Sequence, residues 1–324
     1  MPFHTRNIFI YLIALLPIAS CKKDKLPGSQ LQKLESYTTD RLNVVKFIDG
    51  IGYIGGGQRF ATSTMLISKD GGNSWNVRNF PESGKAIYGI NAKYDQLGIF
   101  AIGYEGKILT STDNGDNWQY IKLAQWEPYK DLAFIEPATC IAIGGVSYHN
   151  GRLTYLNDQY QAYRDDSLGY ELNDIEMLNN KTGYIAGFGV VLKTDDGAAT
   201  WHILDVKNDN FTAIHANNAN ELWVCGYNGS IYRTTNGGQS WDKQRNGNSL
   251  ANKRYRLLDI YFKDSNNGWA VGEEGLVIRT TNGGGDWEAY EKVTGDALRS
   301  IATAPDGNLI LCGDNGALYR LQIN

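Results

Sequence analysis

The chain has 324 residues and a formal net charge of −4, with 37 glycines, 20 tyrosines and 8 tryptophans but only 7 prolines and 4 cysteines. A hydrophobic share of 42% with 20% charged residues excludes wholesale disorder. The acidic balance argues against nucleic acid as a partner, and so few cysteines exclude a disulfide scaffold.

In chain order, His4 and Arg6 precede an apolar run from Ile8 to Leu16, too short to span a bilayer. Pro17, Ile18, Ala19 and Ser20 then lead to Cys21. A charged start, a short apolar run and small residues before a cut describe a secretory signal over 1–20. An aliphatic residue, two small residues and a cysteine resemble the bacterial lipobox. By that resemblance Cys21 becomes the lipid-bearing first residue of the mature chain; the alternative is an ordinary signal with an incidental cysteine. The polar stretch 21–30 reads as a tether, and 31–324 as one domain. No other stretch approaches 18 apolar residues, so membrane attachment would be by lipid only, in the bacterial cell envelope.

The remainder repeats one unit. Four segments end alike in tryptophan: SKDGGNSW (68–75), STDNGDNW (111–118), TTNGGQSW (234–241) and TTNGGGDW (280–287). A fifth, TDDGAATW (194–201), reads with Asp195 as its acid and one extra residue before Trp201. The intervals between Trp75, Trp118, Trp201, Trp241 and Trp287 are 43, 83, 40 and 46, so one copy is missing from the longest gap. Strand-like runs ending in glycine, as at Gly103, Gly144, Gly187, Gly226, Gly272 and Gly313, restore it. Seven copies at roughly 40–47 residues match a propeller of four-stranded blades. The last copy ends after its third strand, and Leu31 to Tyr37 is the unassigned segment that can complete it. The expected fold is therefore an all-β, seven-bladed β-propeller of antiparallel blades, closed by its N-terminal strand.

In the boxes Asp70, Asp113, Asn236 and Asn282 can accept backbone amides in a turn, and the tryptophan covers the blade edge. No box has the alternating acids and bidentate Glu of a calcium loop. The pattern S/T-x-D-x-G-x-x-W resembles the Asp-box, or BNR, repeat. The phrases at 268–287 and 221–241 most resemble the photosystem II stability/assembly factor family. That resemblance implies a propeller that binds a membrane-protein precursor and its partners, with no chemistry of its own and no cofactor. Asp-box propellers also include glycosidases, so a glycan-binding or glycan-cleaving propeller is the alternative.

Three further groups stand out. Asp131, Asp174 and Asp259 hold equivalent places in blades three, four and six, where they would either cap neighbouring amides or form a weak cation site or an acidic channel mouth. His149, His202 and His215 lack metal-ligand spacing. Trp126 alone among the tryptophans is unexplained by the repeat. With Tyr129, Tyr148 and His149, beside further blade-three tyrosines, it suggests a contact surface where the repeat degenerates. Lys253, Arg254 and Arg256 form a basic cluster on the same expected rim, read either as a site for an acidic protein partner or as a solvated face.

Overall fold

The computed structural model describes residues 25–93, 98–124, 126, 128–136, 139–247 and 254–323. The signal segment, Cys21 and Lys253 lie outside the described residues. Within them are strands and four short 3-10 turns, and no helix long and apolar enough to cross a membrane.

The strands form seven four-stranded sheets. Six are built from consecutive antiparallel strands, such as Leu42–Ile48, Ile51–Gly56, Thr64–Ser68 and Asn76–Asn79 in blade one. The inner strands of blades two to seven are Ile87–Ala92, Tyr129–Glu136, Leu172–Met177, Phe211–Ala216, Leu257–Phe262 and Leu298–Thr303. All seven inner strands line a common central channel of about 700 Å³.

Second strands such as Ile99–Gly103, Leu222–Gly226 and Leu309–Gly313 are buried along their whole length. A strand covered on both faces reads as a continuous apolar run, and here each face meets a neighbouring blade. Apolar cores accordingly sit between blades. Tyr53 and Met65 of blade one pack with Ile90 and Ile99 of blade two, and Leu42 and Val45 close against Ile310 and Cys312 of blade seven.

The ring closes as the unassigned segment required. Leu31–Lys33 pairs antiparallel with Leu318–Leu321, placing Leu31 opposite Leu321. Of the expected 31–37, Leu31–Lys33 form the strand and the Leu34 N–H adds one more bond to Leu318 O at 2.9 Å. Pairing in this way covers the outward edge of Leu318–Leu321 and gives blade seven its fourth strand. The stretch 25–30 is not a loose tether, however: Leu26 forms a parallel bridge with Tyr290 on blade six.

Each inner strand slips register at one common place, for example between Leu42 and Val44, Tyr129 and Asp131, or Leu298 and Ser300, and blade three slips a second time between Phe134 and Glu136. Such a bulge leaves one residue unpaired and tightens the twist. The residues that follow the bulges are Val44, Gly89, Asp131, Asp174, Ala213, Asp259 and Ser300, so the three aspartates are equivalent. At Gly89 a Cβ would stand 2.7 Å from Asp131 Cα, which is why blade two carries no side chain there.

The boxes join third and outer strands with one hydrogen-bond grammar. The Ser68 hydroxyl accepts the Gly72 N–H at 2.7 Å and donates to Asp70 Oδ1 at 2.8 Å, and the same oxygen accepts the Ser74 N–H at 2.9 Å. Ser111, Asp113 and Asn117 repeat it, as do Thr280, Asn282 and Asp286. Gly72, Gly115, Gly238 and Gly284 sit at φ +86°, +85°, +89° and +94° in these turns.

In blade four the acid is Asp196, not Asp195. Asp196 accepts from the Thr194 hydroxyl at 2.8 Å and the Thr200 N–H at 3.0 Å, whereas Asp195 pairs with Lys193 at 3.1 Å. The box therefore contains no extra residue: Ala198, at φ +63°, occupies the left-handed place that glycine fills elsewhere.

Blade three corrects a second expectation. Its repeat is not degenerate in structure, for it has the longest strands, Tyr129–Glu136, Thr139–Val146, Asn150–Leu156 and Ala162–Leu168. Asn157 replaces the missing box, its side-chain oxygen accepting the N–H groups of Gln159 and Gln161 at 3.0 and 2.9 Å.

Candidate functional site

In a four-stranded meander, the second-to-third turns and the blade-to-blade loops emerge on one rim, and the boxes on the other. Two features on or near the first rim carry the candidate residues: the channel and a cavity beside its mouth.

In the channel the three aspartates act as clamps between blades. The Ile175 N–H donates to Asp131 at 3.4 Å, Ile214 N–H to Asp174 at 2.7 Å, and Ile301 N–H to Asp259 at 2.9 Å. Each acceptor lies on one blade and its donor on the next. Glu176 adds a fourth clamp by accepting the Ala216 N–H at 2.9 Å. Neutral side chains do the same work elsewhere: Asn43 donates to Ile87 O, and His215 Nε2 lies 2.8 Å from Phe262 O.

This concentration of carboxyls has electrostatic consequences. Burial, then the charge of Asp174, pushes Asp131 well above the usual carboxylate range. Burial raises Glu176 to about 8 and Asp259 to about 6. Lys46, on blade one, faces all four acids; their fields outweigh its burial and raise its pKa. His215 is pushed down to about 4, chiefly by burial. The channel is thus a lock that ties neighbouring blades together, and no group of three or more metal-ligating side chains forms among the described residues.

The rim cavity, of about 710 Å³, opens among the turns and loops of blades three to six. Tyr148 is 47% exposed, with its ring 5.0 Å from Phe188, and His149 packs edge-on to the same Phe188 at 5.4 Å. Across the cavity the Arg256 guanidinium lies 4.7 Å above the Tyr227 ring, and its Nε is 3.4 Å from Glu273. Arg254 is exposed and lines the cavity. Asp209 lines it too, but its carboxylate is engaged by the N–H of Asn228 at 2.7 Å and of Ser230 at 3.4 Å.

The structure therefore brings Tyr148, Arg254 and Arg256 together and excludes two expected members. Tyr129 is fully buried, its hydroxyl 2.7 Å from Thr154 Oγ1, and is a core residue rather than a surface one. Of the other blade-three tyrosines, Tyr155 is buried and Tyr163 is 60% exposed. Trp126 is 67% exposed but lies away from the cavity, between blades two and three, with Lys122 Nζ 4.8 Å from its ring.

Sequence reasoning missed Phe188 and Tyr227, although a signal was present. Each directly follows the second-strand glycine, as Tyr104 follows Gly103. The three cysteines that are described, Cys140, Cys225 and Cys312, are buried and unpaired.

Residues 204–279 match the family model described as photosynthesis system II assembly factor YCF48. The photosystem II stability/assembly factor HCF136 of Arabidopsis thaliana is 22% identical over 269 residues, covering 59% of this chain and 65% of that protein. The chain thus matches just under two thirds of this curated relative's length. Among solved structures, YCF48 from Cyanidioschyzon merolae superposes with a TM-score of 0.69 at 17% identity, covering 90% of this chain and 98% of that one. A YCF48 bound to a D1 peptide gives 0.69 at 15% identity, covering 91% and 94%. At such identities the superpositions establish the fold, while the repeat phrases and the matched segment establish the kind. The chain is a seven-bladed BNR-repeat propeller similar to the photosystem II assembly factors.

Proposed function

We propose that this protein is an exported, lipid-anchored and non-catalytic scaffold that binds a segment of another protein in the rim cavity. The carrying observation is the cavity itself: aromatic walls from Tyr148, Phe188 and Tyr227 beside the guanidinium groups of Arg254 and Arg256. Tyrosine and arginine in a partly desolvated pocket are the residue types that dominate interface energies. Such a pocket suits a peptide segment carrying both an apolar side chain and a carboxylate, which arginine binds as a planar fork. A similar propeller has been solved with a bound D1 peptide, which supports a peptide as occupant. The anchor is Cys21, in the bacterial cell envelope, and the partner is an envelope or membrane protein.

The test is cross-linking and pull-down from membranes, comparing wild type with Tyr148→Ala plus Arg254→Ala and, separately, Trp126→Ala. Loss of the captured partner in the double variant is expected, with folding checked by circular dichroism. An unchanged partner set in a folded double variant would sink the cavity as the site. Trp126 keeps the glycan reading testable, since exposed tryptophans stack on sugars; binding on a glycan array that Trp126→Ala abolishes would favour that function instead. The carboxyl groups in the cavity argue against cleavage: Asp209 holds two amides and Glu273 is paired with Arg256.

A further inference from the structure

The start of the described chain is stapled across two blades. The Leu26 N–H donates to Ala289 O at 2.9 Å and the Glu291 N–H to Leu26 O at 2.8 Å, so Leu26 adds to the outer edge of blade six. Leu26 and Val293 pack on a core that includes Tyr290. The Gly28 N–H then donates to the Glu291 carboxylate at 3.2 Å. A Cβ on Gly28 would lie 3.2 Å from both the Glu291 and Val293 side chains, so the contact is tight. The Gln30 carbonyl accepts the Gln322 N–H at 3.0 Å, and Leu31–Lys33 completes blade seven.

This staple fixes where the chain leaves the ring. Cys21 and Leu26 are five residues apart, and five extended residues reach at most about 17 Å. We propose that the outer edge at the boundary of blades six and seven is a membrane-facing surface laid against lipid headgroups. The inference rests on Cys21 being the lipid anchor. The exposed side chains there are mixed in charge, Lys25 and Lys292 with Glu288 and Glu291. Charge attraction is therefore not what holds the edge down; the shortness of the covalent link is.

The orientation has a consequence for binding. In a ring of seven, blade three lies opposite the boundary of blades six and seven. Blade three and Trp126 are carried to the side away from the bilayer. The rim cavity, which spans blades three to six, then opens along the membrane surface, where a segment emerging from a membrane protein can enter it without crossing the disc.

The test uses the full-length protein in membranes with a single exposed reporter cysteine, Lys292→Cys at the blade-six edge or Tyr163→Cys on the outer strand of blade three. A fluorophore on each is quenched by a quencher carried on lipid headgroups. Quenching severalfold stronger at 292 than at 163 is expected. It should be lost, with the protein still membrane-bound, when a flexible spacer of about 20 residues, with a reach of ~25 Å, is inserted between Asp24 and Lys25. Equal quenching at both positions in membrane-bound protein overturns the orientation and leaves the anchor standing. If the wild type is not in the membrane fraction, or Cys21→Ala fails to release it, the anchor itself is refuted, and the orientation with it.

Discussion

Glu176→Gln is the variant that most directly probes the channel lock. In the folded ring Glu176 holds the Ala216 amide at 2.9 Å while enclosed with Asp131, Asp174, Asp259, Lys46 and His215. Burial raises its pKa from 4.5 to about 8, against the opposing pull of Lys46. A folded-state pKa above the unfolded value means that folding takes up a proton. The associated stability is complete below about 4.5 and is lost as pH rises through about 8. At about 1.4 kcal/mol per pH unit, the span from 4.5 to about 8 bounds the loss at about 5 kcal/mol. The side chain is half-buried and the lumen admits water, so screening reduces this to roughly 1–2 kcal/mol. Asp259, raised from 3.8 to about 6, adds a loss in the same direction beginning at lower pH. Urea denaturation at intervals between pH 5 and pH 9 measures the effect. Wild type should lose stability towards pH 9, and Glu176→Gln should lose less, because glutamine keeps the acceptor oxygen for Ala216 and carries no charge. A wild-type stability that climbs from pH 6 to pH 9, or a variant with the wild-type slope, would refute the lock.

Three further outcomes follow from the geometry. Asp196→Ala should lower the melting temperature and Asp195→Ala should barely change it, because Asp196 holds the turn through Thr194 and Thr200 while Asp195 pairs on the surface with Lys193; the reverse ranking would restore Asp195 as the box acid. Tyr129→Phe should cost about 1 kcal/mol for the lost Thr154 hydrogen bond, and Tyr129→Ala about 3–5 kcal/mol for the cavity it leaves, both read by urea melts. Native protein should resist a thiol reagent at Cys140, Cys225 and Cys312 until it is unfolded, since all three are buried and burial raises each thiol above its usual pKa; fast labelling of any of them in the folded state would contradict this.

The seven-bladed ring was legible because its signals are local and repeated. Strand runs, turn glycines and box residues recur in phase, and a blade is specified largely by its own 40 or so residues. Closure was legible by bookkeeping, since one blade lacked an outer strand and one segment lacked a place. The box in blade four shows the limit of the same reasoning. Gly197 was matched to the wrong glycine, and only the hydrogen bonds of Thr194 show that Ala198 takes the left-handed position. The partner surface was only half legible. Tyr148, Arg254 and Arg256 were marked by type, yet their neighbours Phe188 and Tyr227 follow the second strands of other blades, and Tyr129 was grouped with the loop that carries Trp126 although it opens the buried inner strand Tyr129–Glu136.

By itself the sequence determined the period, the number of blades, the turn chemistry and the means of closing the ring. These depend on contacts within a blade or on which strands exist to be paired. Tertiary structure alone decided what the charged and aromatic side chains do. Whether Asp131, Asp174 and Asp259 bind something or hold the ring together depends on the amides of the following blade, more than 40 residues away in two of the three cases and 40 in the other. Whether Leu26 belongs to a leash or to blade six depends on an edge some 260 residues away. Interactions of that range carry no local periodicity, and their outcome is fixed only when the ring has closed.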